Sequence, residues 1–192
     1  VFFFINLIFG SKVSAFCASI LFAVHPLHTE AVAYIAGRAD LLAALFMLTF
    51  LIAYIRSHES RSPWFCILAI ASYILACMSK EYSLTVVALV LLYHFTFRMK
   101  IQWRIYGPII AITLSYVFLR MTIFNFPVVG KSSPGNILSR LPGLFIAFAE
   151  YLRLLVLPSG LHMEYGSPVL KFTDPRAMGG LAAIITLAFL MV

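Results

Sequence analysis

The sequence predicts an all-α fold, a polytopic transmembrane helical bundle, and three observations carry that prediction. Hydrophobic residues make up 62% of the 192 and charged residues 11%, whereas soluble domains carry about 25% charged residues. Mean hydropathy is +1.00. The basic residues, finally, alternate between successive connections in the way a membrane imposes.

In order, the apolar runs place a truncated helix over residues 1 to 9, then segments near 13–35, 39–55, 64–79, 81–97, 104–120 and 177–192. One set of connections holds Lys12, then Arg56 and Arg61, then Arg98, Lys100 and Arg104; the other holds Arg38 and Lys80, each beside an acid, Asp40 and Glu81. By the positive-inside rule the first set is cytoplasmic and the second external or lumenal. The formal charge of +7 is therefore a topology signal, and no nucleic acid is expected as a partner. Cys17, Cys66 and Cys77 are odd in number, lie in apolar runs and read as buried thiols without a disulfide framework or metal spacing. Residues 1–192 read as part of one membrane-embedded domain.

Residues 13 to 24 are all apolar or small, but at about 1.5 Å per residue they cover only about 18 Å of a roughly 30 Å hydrocarbon layer. To cross, that segment has to carry His25, His28 and Glu30 into the membrane or its interface, where ionisable groups line cavities and point to function. Pro26 bends or ends the helix, since it lacks an amide donor and disfavours helical geometry at His25. His25 and His28 can then face the same way. As metal ligands they lack a third and fourth partner, so they read as hydrogen-bonding residues that orient a substrate hydroxyl or Glu30. Gly37 suits a helix C-cap with positive φ. Asp40 falls in the first turn of the next helix and complements its dipole.

Segments 64–79 and 81–97 hold about 16 residues each, or roughly 24 Å, so the Lys80-Glu81 turn between them is recessed below the headgroups. Two readings stay open there. One is an ion pair neutralising two helix ends; the other has Lys80 join Arg38 in presenting positive charge at the mouth of an intramembrane cavity, where a lipid-linked phosphate docks.

After Arg120 the pattern changes. Pro127, Gly130, Ser132, Ser133, Pro134 and Gly135 begin an external loop over about 121–176. Pro142 marks the first turn of a helix over 141–157 within it. Glu150 and Arg153 are three apart and pair on one face, and with those central charges the helix reads as interfacial or re-entrant. The stretch 162–168 then carries His162, Glu164 and Tyr165, a group suited to carbohydrate or peptide.

His25-Pro26-Leu27-His28-Thr29-Glu30-Ala31-Val32 with Gly37-Arg38-Ala39-Asp40-Leu41-Leu42-Ala43, then Ser79-Lys80-Glu81, then Tyr151-Leu152-Arg153-Leu154-Leu155 ahead of Pro158 and Glu164-Tyr165, resemble the transmembrane and tetratricopeptide-repeat O-mannosyltransferases and their bacterial relatives. The resemblance covers nearly all of the chain, and its first block is the most specific. It implies a C-type glycosyltransferase membrane fold. The enzyme it implies takes a sugar, typically mannose, from a polyprenyl-phosphate carrier and transfers it to a protein Ser or Thr hydroxyl on the external or lumenal face. It implies no metal and no cofactor beyond the lipid-linked donor; the partners are that donor, an acceptor protein and membrane lipids. It also places the acidic catalytic base in a first external loop, before Val1, and any tetratricopeptide repeats beyond this chain, which shows no 34-residue repeat. Glu164 stands where the family's usual aspartate does.

On that resemblance the substrate-binding residues are His25, His28, Glu30, Arg38, Asp40, Lys80, Glu81, Arg153, Glu164 and Tyr165. Arg38, Lys80 and Arg153 take the phosphate side, Glu30 and Asp40 orient these cations or the sugar, and His25 and His28 position hydroxyls. The competing classes are a transporter or lipid flippase, which also uses recessed charges around a cavity, and a non-catalytic scaffold that binds lipid-linked sugar. The chain holds no Asn-x-Ser/Thr sequon, which favours a bacterial inner membrane over the endoplasmic reticulum.

Overall fold

The computed structural model describes residues 1–60, 62–99, 101–122, 137–159 and 175–190. They are helical, with no strand among the described residues. They divide into two compact units, Val1–Phe126 and Pro127–Val192.

The first unit begins with α1 (Phe2–Phe9), which stops where Gly10 takes φ 65° and returns its N–H to Asn6 O. A left-handed residue costs glycine nothing, and Ser11 then caps α2 (Lys12–Val24), its side chain accepting from Ser14 N. The run expected as one segment, 13–35, is broken. His25 is extended (φ −68°, ψ 125°), as a residue before proline must be. The chain turns through His28 N to His25 O (3.1 Å) and Thr29 N to Pro26 O (3.0 Å), then forms α3 (His28–Ala33) and a 3₁₀ turn, Ile35–Gly37.

Gly37 corrects the sequence expectation. It is not a left-handed cap, since among the described glycines only Gly10 has positive φ. Its value is closeness: a Cβ there would lie 2.9 Å from Ala31 O and 3.1 Å from Ala31 Cα. A hydrogen atom at this position lets the 3₁₀ turn fold back onto α3.

Helix α4 (Arg38–Ser60) follows at once, with Asp40 in its first turn as expected. It has 23 residues, about 35 Å at the helical rise, enough to cross a hydrocarbon layer. It outruns the expected 39–55 because its polar last turn is bonded locally: Ser57 and Ser60 donate back to Tyr54 O and Arg56 O, and Arg56 meets Glu59 at 3.5 Å. Helix α5 (Pro63–Ser79) opens on proline in its first turn, where a missing N–H costs nothing. A 3₁₀ turn (Glu81–Thr85) leads into α6 (Val86–Phe97), which ends at left-handed Arg98. Helix α7 (Trp103–Thr122) contains Pro108. Among the described residues, α4 and α7 are the helices long and apolar enough to span a membrane; α2, α5 and 81–97 are shorter apolar helices.

Helix α4 packs most extensively on α5. Ala43, Ala53, Ala69 and Ala76 are each at most 1% exposed, and small residues let two backbones approach where lipid offers no hydrophobic drive. Phe50, Tyr54, Tyr73, Val86, Val90, Ile105 and Ile109 complete the core with α6 and α7. Hydrogen bonds between helices fix the register. Tyr54 Oη meets His94 Nε2 at 2.7 Å, Tyr73 Oη meets Thr113 Oγ1 at 2.6 Å, and Ser57 Oγ lies 3.0 Å from Gln102 Oε1. Phe3, Phe16, Ile67, Leu114 and Phe118 face outward, as apolar side chains do in a bundle solvated by lipid.

These bonds also sort the helix ends. Ser57, Tyr54, His94 and Gln102 bring the end of α4, the end of α6 and the start of α7 together, the end that carries Arg56, Arg98 and Arg104. Asp40, Lys80, Glu81 and Arg120 meet at the opposite end. Arg56, Arg98 and Arg104 of the one charge set thus lie at the opposite end of this unit from Lys80 and its neighbours of the other.

In the second unit α8 (Ile137–Val156) packs on α9 (Pro175–Leu190), with Gly180 against the Phe145 backbone where no Cβ fits. Helix α8 begins four residues earlier than expected, so Pro142 lies inside it rather than in its first turn. The cost is one backbone hydrogen bond, that to Leu138 O.

Gly37→Ala should lower thermal stability in detergent by about 1–3 kcal/mol, the range for forcing atoms into a filled contact. Tyr54→Phe, which deletes a buried hydroxyl and strands His94 Nε2, should cost about 1–3 kcal/mol, read from the shift in melting temperature.

Candidate functional site

A cleft of about 290 Å³ opens where α2 breaks, lined by Leu27, Ala31, Tyr34, Gly37 and Asp40. Its walls are α3, the 3₁₀ turn and the first turn of α4, the three pieces that Pro26 and Gly37 create. Arg38 falls between two lining residues and is exposed. It makes no ion pair with another described side chain.

The neighbouring charges are committed. Lys80 Nζ lies 3.1 Å from Asp40 Oδ1, and Tyr82 Oη donates to the Asp40 carbonyl at 3.3 Å. Glu81 pairs with Arg120 at the end of α7. The ion pair foreseen between Lys80 and Glu81 is therefore replaced by two others: Lys80 reaches Asp40 on α4 and Glu81 reaches Arg120 on α7. Lys80 closes an extended residue (φ −155°, ψ 142°) before the 3₁₀ turn, which sends successive side chains apart.

His25 and His28 face one another with ring centroids 6.1 Å apart, and His28 also lies 4.2 Å from the Phe22 ring. Leu27 N donates to His25 Nδ1 at 3.3 Å, so the proton of the neutral His25 ring sits on Nε2. Both rings are half-buried. The backbone of Glu30 lies in α3, and its side chain is outside the described residues. Among the described residues no three His, Cys, Asp or Glu side chains gather as metal ligands.

Arg153 belongs to the second unit. As the spacing foresees, it pairs with Glu150: Nε donates to Glu150 Oε1 at 3.0 Å and Nη2 to the same oxygen. It also donates to Ser159 Oγ (3.4 Å) and Ser159 O (3.3 Å), which ties the end of α8 to the following residues. Glu164 and Tyr165 lie outside the described residues.

Sequence reasoning missed Tyr82, Arg120 and the lining residues Leu27, Ala31 and Tyr34. Arg120 was within reach: α7 runs back from the basic end, so a cation at its last turn has to arrive beside Lys80-Glu81. It also missed the polar group at the opposite end. There His94 bonds Tyr54 and, through Nδ1, Met99 O at 3.0 Å, with His58 5.6 Å from His94 between ring centroids.

Fold and site together define a membrane protein of helical-bundle type with a cleft lined in part by Asp40, whose carboxylate is paired with Lys80. The chain is related to the protein O-mannosyl-transferases. It is 31% identical over 175 residues to protein O-mannosyl-transferase F38B6.6 of Caenorhabditis elegans, covering 85% of this chain and 24% of that protein. It is 30% identical over 171 residues to Tmtc2 of Drosophila melanogaster (80% of this chain, 18% of that protein). Against mouse TMTC1 the identity is 40% over 96 residues (45% and 10%). The chain thus spans a quarter or less of the length of these relatives. No family model and no solved structure matches it. These relatives are eukaryotic and so lend no support to the bacterial inner membrane expected from the sequence.

Lys80 and Asp40 are each more than a third exposed, as are Arg120 and Glu81, and such pairs contribute about 0–1 kcal/mol. Glu81→Gln should therefore shift the melting temperature little, and raising salt should shift the wild type little. A collapse of the fold in that variant would show that the pair is structural.

Proposed function

We propose that this chain supplies the donor-binding part of a membrane O-mannosyltransferase. The transferase moves mannose from a polyprenyl-phosphate carrier to a protein Ser or Thr hydroxyl, at the membrane face opposite the basic connections. The relatives named above are the reason to expect mannosyl transfer, and Arg38 is the observation that carries the donor site. Lys80 is neutralised by Asp40 and Arg120 by Glu81, while Arg38, exposed and next in the chain to the cleft-lining Gly37, has no ion-pair partner among the described side chains. A guanidinium in that state suits a phosphate, which it meets with two parallel hydrogen bonds.

In the reaction the bond from the anomeric carbon to the phosphate oxygen breaks and a bond to the acceptor oxygen forms. The hydroxyl proton passes to a carboxylate, and the carrier leaves as polyprenyl phosphate. Arg38 stabilises charge that grows on that phosphate. Asp40, on the cleft wall, and Glu30 contact the sugar or orient Arg38; His25 and His28 hold hydroxyls. Arg153, Glu164 and Tyr165 stay among the substrate-binding residues on the family resemblance alone. The charge at the leaving group is met by side chains, so the proposal invokes no metal or cofactor.

The test uses the full-length parent protein in lipid with labelled polyprenyl-phosphate mannose and candidate acceptor proteins. Arg38→Ala should lower transfer by about 10- to 100-fold, the loss of one charge-assisted contact, with the melting temperature nearly unchanged. Wild-type rates in that variant would remove Arg38 from the donor site. Chelation with EDTA should leave the wild-type rate unchanged. Movement of the carrier across the bilayer with no label in protein would favour the transport reading instead.

A further inference from the structure

The three residues 80–82 tie two helices together at the cleft. Lys80 and Tyr82 both reach Asp40, one at its carboxylate (3.1 Å) and the other at its carbonyl (3.3 Å). Between them Glu81 points to Arg120 on α7. Asp40 is a cleft-lining residue; Lys80, Tyr82, Glu81 and Arg120 are not. An ammonium already 3.1 Å from a carboxylate is poorly placed to neutralise a second anion, because leaving Asp40 would uncover that acid beside the incoming phosphate. The same contact, kept in place, holds the Asp40 side chain in one rotamer against the cleft.

We propose that Lys80 is a positioning residue: it acts on the lipid-linked donor only through Asp40, and Arg120 holds Lys80 in register through Glu81. This rests on the transferase reading above and replaces the expectation that Lys80 meets the phosphate itself. Binding energy in such an arrangement goes into orientation, where a displacement of about 1 Å costs about 100-fold in rate. Loss of Lys80 therefore falls on turnover and not on donor affinity.

A double-mutant cycle in the full-length protein separates the two roles, because residues acting through one another are non-additive. Lys80→Met should lower kcat about tenfold and leave the donor KM within about twofold; in an Asp40→Asn background it should add less than about a further twofold. A rise of about tenfold in donor KM that persists in the Asp40→Asn background would overturn the proposal and return Lys80 to the phosphate. Lys80→Arg, which keeps the cation, should stay within about threefold of wild type, and a loss as large as that of Lys80→Met would also count against positioning. Should the wild-type protein transfer no mannose, the transferase reading fails alone. The contact is then judged from melting temperatures of the same four proteins: non-additive shifts support the Lys80–Asp40 coupling, and additive shifts overturn it.

Discussion

Scarcity of charge in an apolar chain governs this structure. With 11% charged residues and helices solvated by hydrocarbon, an ionised group in mid-helix costs several kcal/mol, so charges migrate to helix ends and find opposite charges there. The ends that result differ in character. One holds cations beside a hydrogen-bonded group of imidazole and phenol; the other holds acids and bases in nearly equal number, crossed between α4, the 80–82 turn and α7. Between the ends, alanines and aromatic rings give the close packing that brings the charges together.

Much of this was legible in the sequence. Composition gave the helical class, and the alternation of Lys and Arg separated the two ends before any coordinate did. Pro26 marked the break, Asp40 the first turn of α4, and Glu150 with Arg153 a pair on one helix face. What sequence spacing could not supply was partnership between helices. Lys80 beside Glu81 looks like a neighbouring ion pair, yet backbone extension at Lys80 turns the two away from each other. Gly37 shows the same limit: a glycine after a short helix suggests a left-handed cap, and only the path of α3 reveals that the missing atom is needed for contact with Ala31. Helix ends were off by a few residues where polar turns bond locally, as at Arg56 to Ser60.

The relation to the O-mannosyl-transferases adds chemistry that geometry does not contain. It covers 85% of this chain but 24% of its nematode relative, so it speaks for kinship and not for the activity of the whole relative. The arrangement of the cleft is intelligible on its own terms: a short helix, a tight turn and the start of a long helix form its walls, and the carboxylate on that wall, Asp40, is already paired with Lys80.

The break at Pro26 has a mechanical consequence. In a continuous helix, adding one residue rotates everything beyond it by about 100° and would swing the cleft residues to a new face. Because α2 ends at Val24 and α3 starts afresh at His28, the rotational phase of one does not propagate into the other. A one-residue insertion within 12–24 would therefore turn α2 without passing the same rotation on to residues 28–40, the turn at His25 to Thr29 taking up the difference.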